Sequence, residues 1–272
     1  MDMKEFLEIK QQPHISASSL QTYMTCGLQY KFSRVDKLKP AFTADNLVFG
    51  STVHKVLQEF HQERMVGNNL DAEELQRLWA KYWDESEAAL DNDRIQYSAG
   101  KDFVTLSEEG RGLLAAFHEA LPEEDNNRII SIEQPFVCLV EDAWPLIGIT
   151  DLIEEDEAGN LIVTDWKSSA RAYSSGIVDG HQQLTIYFGA MQANGYENRE
   201  ILLKLHVLIK TKVPKCEAYY TTRTDDDWNR AVKLIQQVCE GIQKSVFIPN
   251  TLSYRCSNCS YKCYCDQWFN ES

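Results

Sequence analysis

The sequence contains no long apolar run. No stretch approaches the about 20 apolar residues that a membrane-spanning helix needs, and the N-terminal residues Met-Asp-Met-Lys-Glu-Phe lack the apolar core of a signal peptide. Internal repeats, low-complexity segments and Pro/Gly-rich linkers are also absent. We therefore expect no membrane partner and predict an intracellular, cytoplasmic protein whose 272 residues form one compact unit overall.

Basic residues are scarce. The chain has 27 lysines and arginines against 41 aspartates and glutamates, which gives a net charge of −14. This balance argues against a protein that coats nucleic acid non-specifically, because such binding needs an excess of positive charge. Residues 71–93, with eight acids and two bases, are expected to face away from any phosphate.

The basic residues that do occur are concentrated in two stretches. The first contains one acid, Asp36, and the bases Lys31, Arg34, Lys37 and Lys39. The second contains no acid and the bases Lys204, Lys210, Lys212 and Lys215. A protein of this charge that acts on nucleic acid would have to use such local clusters.

Cysteine is plentiful for an intracellular chain, with eight residues. Cysteines in a reducing compartment are better candidates for metal or cluster ligands than for disulfides. Four of them fall within ten residues, at Cys256, Cys259, Cys263 and Cys265. This density indicates a thiolate site for zinc or an iron–sulfur cluster. Either these four bind one ion, or the cramped pair Cys263 and Cys265 supplies one ligand and Cys26 joins from upstream; the spacing favours the second arrangement.

A candidate catalytic site lies between Trp144 and Lys167. Two apolar, β-branched runs flank the turn signal Asp-Glu-Ala-Gly-Asn at residues 156–160, which predicts a β-hairpin. Pairing across this turn brings Asp151 level with Asp165, and Asp165 shares a face with Lys167. Two carboxylates and an ammonium at a strand end can seat a magnesium-type ion and a positive charge beside a water. A solvated hairpin fits the same local pattern about as well.

Hydrophobic periodicity predicts helices before this hairpin and a sheet around it. Helices are expected over Ser16–Phe32, from Phe49-Gly50 onward, over 71–90, and over Leu106–Leu121. Strands are expected over 128–140, 145–155, 161–167, 200–211 and 215–223, with helices over 180–194 and 225–244. The order predicts an α/β or α+β core with a mixed sheet.

Three further residues have chemistry worth noting. His54 lies in the first turn of the second helix, and Gln183 and Tyr187 share a helix face at i and i+4. Read alone, a histidine at such a position is more often a satisfied core or surface group than a ligand, and Tyr187 fits a core tyrosine with a solvated hydroxyl equally well.

Taken together, these pieces resemble a known family. Ser-Ala-Ser-Ser-Leu-Gln-Thr-Tyr from Ser16 with Cys26, Gly50-x3-His54, Gly148-x2-Asp151, Asp165-Trp-Lys167, Gln183-x3-Tyr187 and Cys256-x2-Cys259-x5-Cys265 occur in the order found in the RecB-type branch of the PD-(D/E)XK nucleases. The resemblance is to its iron–sulfur members, such as the AddB nuclease domain and the CRISPR-adaptation exonucleases. It implies a restriction-endonuclease-like core at 128–245, an N-terminal helical cap at 1–127, and an iron–sulfur segment at 246–272.

The resemblance also implies residue roles. His54, Asp151, Asp165 and the Trp166 carbonyl would bind Mg²⁺ or Mn²⁺, while Lys167 would orient or activate water. Gln183 and Tyr187 would hold Lys167 and the scissile strand. A four-iron, four-sulfur cluster would be bound by Cys26, Cys256, Cys259 and Cys265, leaving Cys263 as an extra thiol.

The implied activity is cleavage of DNA phosphodiesters, as an exonuclease on single strands or DNA ends in recombination, repair or DNA processing. No Gly-x-x-x-x-Gly-Lys phosphate loop is present, so a helicase partner would have to supply any unwinding. The alternatives are a non-catalytic nucleic-acid-binding or scaffold subunit with the same fold and a processing subunit in CRISPR spacer acquisition. A recombination or CRISPR partner and a homo-oligomer are both compatible with the sequence.

Overall fold

The computed structural model of the protein describes residues 3–89, 95–122 and 126–271. Its helices are α1 (Met3–Lys10), α2 (Ala17–Thr25), α3 (Gly27–Tyr30), α4 (Asp45–Met65), α5 (Ala72–Ala89), α6 (Phe103–Glu119), α7 (Ser175–Asp179), α8 (Gln182–Met191), α9 (Asp225–Gln243) and α10 (Lys262–Asn270). Its strands are β1 (Thr43–Ala44), β2 (Ile95–Gln96), β3 (Arg128–Cys138), β4 (Leu146–Glu155), β5 (Leu161–Ser169), β6 (Ile201–Ile209) and β7 (Lys215–Thr221).

The chain folds into two compact units, neither of which is continuous in sequence. Unit 1 comprises Met1–Thr43, Pro135–Gly148 and Asp225–Ser272, and unit 2 comprises Ala44–Gln134 and Ile149–Thr224. Strands β3 and β4 contribute residues to both units. The segments predicted from sequence, 1–127, 128–245 and 246–272, are each continuous and so differ from these units. That division stays a prediction.

A five-stranded sheet with the order β3-β4-β5-β6-β7 supports unit 2. Strands β4 and β5 pair antiparallel, β5 and β6 pair parallel, and β6 and β7 pair antiparallel. The predicted mixed sheet is therefore correct. The parallel pair needs a crossover connection, and residues 170–200, which contain α7 and α8, provide it.

The predicted hairpin joins β4 to β5 through residues 156–160. The carboxylate of Asp156 accepts hydrogen bonds from the backbone N–H groups of Ala158 at 2.9 Å and Asn160 at 2.8 Å. Gly159 adopts φ +86°, which a residue with a Cβ rarely takes. These turn contacts fix the register, in which Leu152 lies opposite Thr164.

Helices α4, α5 and α6 share one apolar core with the sheet. Phe49 of α4 contacts Trp79 and Trp83 of α5, whose indole rings stack at 5.3 Å. The same core reaches Trp166 of β5. Each large side chain buried in this way contributes about 1.5–3 kcal/mol to folding, which makes the core the main support of the site described below.

In unit 1, a capping box between Ser16 and Ser19 starts α2, at the residue predicted from sequence. The helix ends earlier than predicted, because Cys26 is extended (φ −162°). The chain then resumes as α3 and a π-helical turn over Lys31–Val35. The predicted single helix to Phe32 is therefore wrong, and Cys26 lies at the break.

Most other elements agree with the sequence prediction to within a few residues. Helix α4 begins four residues before the predicted start, at Asp45, and the five predicted strands all form. Helices α1, α7 and α10 and the short strands β1 and β2 were not predicted. In the described part of the chain, no helix has the length and apolar content needed to cross a membrane.

Candidate active site and cysteine cavity

Asp151 and Asp165 meet at the same level of the β4–β5 hairpin in unit 2. The register pairs Leu152 with Thr164, so the next step towards the site places Asp151 opposite Asp165. The backbone N–H of Trp166 donates to Asp151 Oδ2 at 2.7 Å. This bond holds the Asp151 carboxylate in place and leaves Oδ1 directed elsewhere.

His54 of α4 lies against this hairpin. Its Nδ1 is 3.5 Å from Asp151 Oδ1, and its Nε2 is 2.9 Å from the Trp166 carbonyl oxygen. Burial lowers the pKa of His54, but the hydrogen bond and charge of Asp151 and the charge of Asp165 outweigh it and raise that pKa above its ordinary value. The carboxylates of Asp151 and Asp165 therefore create a negative potential at His54, which would also favour a bound cation.

Glu133 of β3 completes a group that the sequence analysis missed. Its carboxylate, Asp151 and His54 offer three ligand atoms that all lie within 4.8 Å of one another. Burial and the charge of Asp151 raise the pKa of Glu133 to about 7, while His54 acts in the opposite direction. The backbone of Glu133 has φ +50°, a left-handed conformation that residues with a side chain seldom adopt.

The second part of the site is a hydrogen-bonded chain from β5 to α8. Lys167 Nζ lies 2.8 Å from Asp165 Oδ2 and donates to Asp165 Oδ1 at 3.1 Å and to Gln183 Oε1 at 2.9 Å. The Gln183 amide donates to Tyr187 Oη at 2.8 Å. Tyr187 Oη in turn donates to the Ile149 carbonyl at 3.0 Å and lies 3.3 Å from Asp165 Oδ1.

The electrostatics of this chain favour a charged lysine. Burial lowers the pKa of Lys167, but the charge and hydrogen bond of Asp165 and the charge of Asp151 outweigh it, so that pKa is raised. Burial raises the pKa of Asp165, and the neighbouring Lys167 opposes that effect. Tyr187 is fully enclosed, and burial raises its pKa well above the ordinary value, which keeps its hydroxyl protonated.

The residues present fit a hard divalent cation. Carboxylate and carbonyl oxygens suit Mg²⁺ and Mn²⁺, and the group offers Glu133, Asp151 and the Trp166 carbonyl together with the His54 imidazole. Asp165 Oδ2 is buried and has no correctly angled hydrogen-bond donor among the described residues. Asp165 stands outside the three-residue group, and its carboxylate is paired with Lys167.

The cysteines form a separate cavity within unit 1. Cys26, Cys256, Cys259 and Cys265 line a cavity of about 180 Å³, together with apolar side chains that include Leu28, Phe32 and Phe269. Cys263 is exposed and does not line it. The backbone N–H of Asn250 donates to Cys26 Sγ at 3.5 Å, and Cys256 Sγ donates to the Asn250 carbonyl at 3.2 Å.

The thiols in this cavity affect one another. The pKa of Cys259 and that of Cys265 are raised, first by burial and also by the charges of neighbouring cysteines that include Cys26 and Cys256. Two of the thiols are therefore protonated at neutral pH unless a cation compensates them. One cysteine from the N-terminal part of the chain and three from the C-terminal segment thus share one cavity.

Comparison with known protein families decides the family. Residues 14–266 match the PD-(D/E)XK nuclease superfamily. The chain belongs to this superfamily. The match spans both the His54–Lys167 region and the cysteines, and the family is one of nucleases, hydrolases that commonly use divalent metals. The superfamily part of the predicted resemblance is thus confirmed.

One solved structure supports the fold, and a second is reported for its similarity alone. A protein from Eubacterium rectale described as a candidate exonuclease, solved at 2.19 Å resolution, superposes with a TM-score of 0.59 at 10% identity over 95% of this chain and 92% of that chain. The structure named SSO0001 is similar at a TM-score of 0.42 and 14% identity, over 96% of this chain and 91% of that one. No curated protein matches the chain. The predicted α/β, restriction-endonuclease-like fold of this PD-(D/E)XK protein is confirmed.

Proposed function

We propose that this PD-(D/E)XK protein is a metal-dependent DNA nuclease that acts as an exonuclease on single strands or DNA ends. The observation that carries the proposal is the position of Trp166, which lies between Asp165 and Lys167 on β5 and binds Asp151 through its N–H and His54 through its carbonyl. This backbone link places candidate cation ligands beside a fixed positive charge, the two components that phosphodiester hydrolysis needs.

Mg²⁺ or Mn²⁺ is the cation that we propose for this site. His54, Glu133 and Asp151 would hold it, with Asp165 and the Trp166 carbonyl as further ligands. When bound, the ion would polarise a phosphoryl oxygen and lower the pKa of the attacking water. Asp151 is suited to the role because the Trp166 N–H already fixes one of its carboxylate oxygens.

Lys167 is proposed to act as a cation rather than as a base. Its raised pKa keeps the ammonium protonated at neutral pH, and Asp165 and Gln183 hold it in one position. A fixed ammonium in a partly buried site stabilises the negative charge that develops on the phosphoryl oxygens. Gln183 and Tyr187 would serve as positioning residues, because they reach the substrate's surroundings through Lys167 and Asp165.

We further propose that unit 1 holds a four-iron, four-sulfur cluster on Cys26, Cys256, Cys259 and Cys265, as in the iron–sulfur branch of the RecB-type nucleases. What supports this proposal is that these four cysteines line one cavity of unit 1, while Cys263 is exposed and lies outside it.

The proposal also covers the biological setting. An intracellular nuclease of recombination, repair or CRISPR spacer acquisition would encounter DNA ends, and a partner helicase would have to open duplex DNA for it. Lysine-rich stretches at 31–39 and 204–215 provide local positive charge in a chain whose net charge is −14.

The test is digestion of end-labelled single-stranded, double-stranded and closed circular DNA with Mg²⁺ or Mn²⁺. We expect release of short products from the labelled linear strands and none from the closed circle. Lys167→Ala should lower the rate about 10²- to 10³-fold. Lys81→Ala, which removes an exposed lysine from the acid-rich helix α5 outside the site, is the matched control and should keep wild-type activity. Equal rates for Lys167→Ala and wild type would contradict the proposal.

A further inference from the structure

The sheet face that carries Asp165 and Lys167 continues to the edge strand β7. Through the register of β5, β6 and β7, Asp165 is level with Tyr219, and Lys167 is level with Glu217. Residues opposite one another on neighbouring strands point to the same face. Tyr219 and Glu217 therefore lie on the active-site face, two strands or about 10 Å from the Asp165–Lys167 pair.

Tyr173 lies over this part of the face. It is on the short loop between β5 and α7, and its backbone N–H donates to Tyr219 Oη at 3.2 Å. Its half-buried ring meets Tyr219 at 6.3 Å and His181 at 6.4 Å, in both cases edge to face. Tyr173 is also close enough to Lys167 to affect its pKa. An aromatic surface thus borders the catalytic lysine.

The charges around these rings do not suit a phosphate. Tyr219 Oη donates a hydrogen bond to the Glu217 carboxylate, which places a negative charge beside the rings. Burial, together with the nearby charges of Lys167 and Arg223, lowers the pKa of His181 to about 4, so its ring is neutral at physiological pH. The rings themselves, in contact with a carboxylate and a neutral imidazole, therefore suit the face of a base, and the phosphate is left to Lys167.

We propose that Tyr173, supported by Tyr219, stacks an unpaired nucleobase of the substrate next to the cleaved phosphodiester. The proposal rests on the proposed nuclease function and deepens it, because a paired base inside a duplex cannot offer its face to a side chain. Stacking makes no demand on base identity, so the subsite selects single-stranded DNA without sequence preference. The role of Tyr219 is to hold the Tyr173 loop through its hydroxyl.

The test uses single-stranded oligonucleotides that carry one abasic residue at each of the first four positions from the labelled end. For wild type, one abasic position should raise KM about tenfold with kcat within about threefold, the magnitude typical of one base–aromatic stack. Tyr173→Ala should raise KM on the intact strand by the same factor. On that abasic strand, the KM of Tyr173→Ala should equal the KM of wild type. Tyr173→Phe should behave as wild type, because stacking needs the ring alone.

Tyr220→Ala is the matched control, since Tyr220 is exposed on β7 next to Tyr219 and its side chain points to the opposite face of the sheet. It should leave KM unchanged for every substrate. The proposal would be overturned if the KM increases caused by Tyr173→Ala and by the abasic residue multiplied when the variant acts on the abasic strand. So would a Tyr173→Phe variant as impaired as Tyr173→Ala, because the hydroxyl would then be the contact.

Binding measurements keep this proposal separate from the proposed catalysis. Fluorescence anisotropy with the same oligonucleotides in EDTA should show the same tenfold losses for the abasic strand and for Tyr173→Ala. If the wild-type protein binds in this pattern without cleaving, the nuclease function fails and the subsite stands. If it cleaves but Tyr173→Ala binds and cleaves as wild type, the subsite fails and the nuclease function stands.

Discussion

At the scale of single residues, three carboxyl groups at the candidate active site are held in different ways. Asp151 accepts a backbone N–H bond, and Asp165 is paired with Lys167. Glu133 has no hydrogen bond or ion pair of this kind among the described residues, and burial and the charge of Asp151 raise its pKa to about 7. A buried carboxylate held near a second negative group is the one expected to depend most on a bound cation.

Glu133→Gln should therefore weaken metal binding. We expect the Mg²⁺ or Mn²⁺ concentration for half-maximal nuclease activity to rise about tenfold or more, because one of the charged ligands is lost. Manganese titration by calorimetry measures the same change without catalysis. Glu155→Gln is the matched control, since Glu155 is held by Arg128 and Arg199 away from the group. If Glu133→Gln binds Mn²⁺ as tightly as wild type, Glu133 is not a ligand.

The sequence predicts some members of this site and misses others for a physical reason. A hairpin register follows from turn residues and alternation, so the pairing of Asp151 with Asp165 was accessible. Glu133 was not, because its left-handed backbone within β3 departs from the regular alternation on which a sequence prediction relies. The Lys167–Gln183 bond joins residues in different elements, and only the fold brings them together. The roles of these residues stay predictions until they are tested.

At the scale of elements, the contact between α5 and α6 depends on the absence of a side chain. Gly110 of α6 faces the Trp79 indole, and a Cβ placed on Gly110 would lie 2.0 Å from the Trp79 ring. Trp79 cannot move aside easily, because it is fully buried and its Nε1–H donates to the Ser107 carbonyl at 3.0 Å. The glycine therefore sets the distance between the two helices.

Gly110→Ala should destabilise the protein despite the better helix propensity of alanine. The gain of about 1 kcal/mol for alanine over glycine in a helix is smaller than the overpacking penalty expected for such a contact, about 1–3 kcal/mol. Urea denaturation should show a lower midpoint with an unchanged slope. Gly176→Ala in α7, where a Cβ meets nothing within 4 Å, should be neutral or slightly stabilising. A Gly110→Ala midpoint equal to that of Gly176→Ala would show that α5 and α6 adjust without cost.

The helix predicted over Ser16–Phe32 shows where element prediction fails. The apolar spacing of Leu20, Tyr23 and Leu28 continues through the break, so periodicity gives no sign of it. In the structure, Gly27 packs against backbone, and a Cβ there would lie 2.8 Å from the Ile248 nitrogen. A contact with a segment more than 200 residues away decides where α2 ends, and no local pattern records such a contact.

At the scale of the whole molecule, unit 1 is assembled from three distant stretches of chain. The cysteine cavity gathers Cys26 from the first stretch and three cysteines from the last. A cluster across this gap would close a loop of about 230 residues, and long loops gain the most when they are closed. We therefore expect the cluster to stabilise unit 1.

Cys26→Ser should lose iron, sulfide and thermal stability together when the protein is purified without oxygen. Cys263→Ser is the matched control, because Cys263 belongs to the same cysteine-rich segment but is exposed and outside the cavity. It should retain wild-type iron and sulfide content and an unchanged Tm. One zinc ion and no sulfide in the wild-type protein would contradict the cluster. Loss of iron from Cys263→Ser would contradict the ligand set.

The basic stretch of unit 1 provides the last prediction, which concerns how an acidic protein binds DNA. Arg34, Lys37 and Lys39 are exposed, whereas Lys31 is paired with Asp36 at 2.5 Å. Each phosphate that a lysine neutralises on single-stranded DNA contributes about −0.7 to the slope of log K against log salt. Lys37→Ala with Lys39→Ala should therefore reduce that slope by about 1.4.

A second double variant separates local contact from net charge. Arg77→Ala with Lys81→Ala also removes two positive charges, but from α5, a helix rich in acids that is expected to face away from phosphate. Its salt slope should equal that of wild type, since a change of net charge alone releases no further counterions. Anisotropy titrations of a labelled single strand between about 50 and 200 mM salt measure both slopes. Equal slopes for the two double variants would mean that the DNA does not contact residues 37–39.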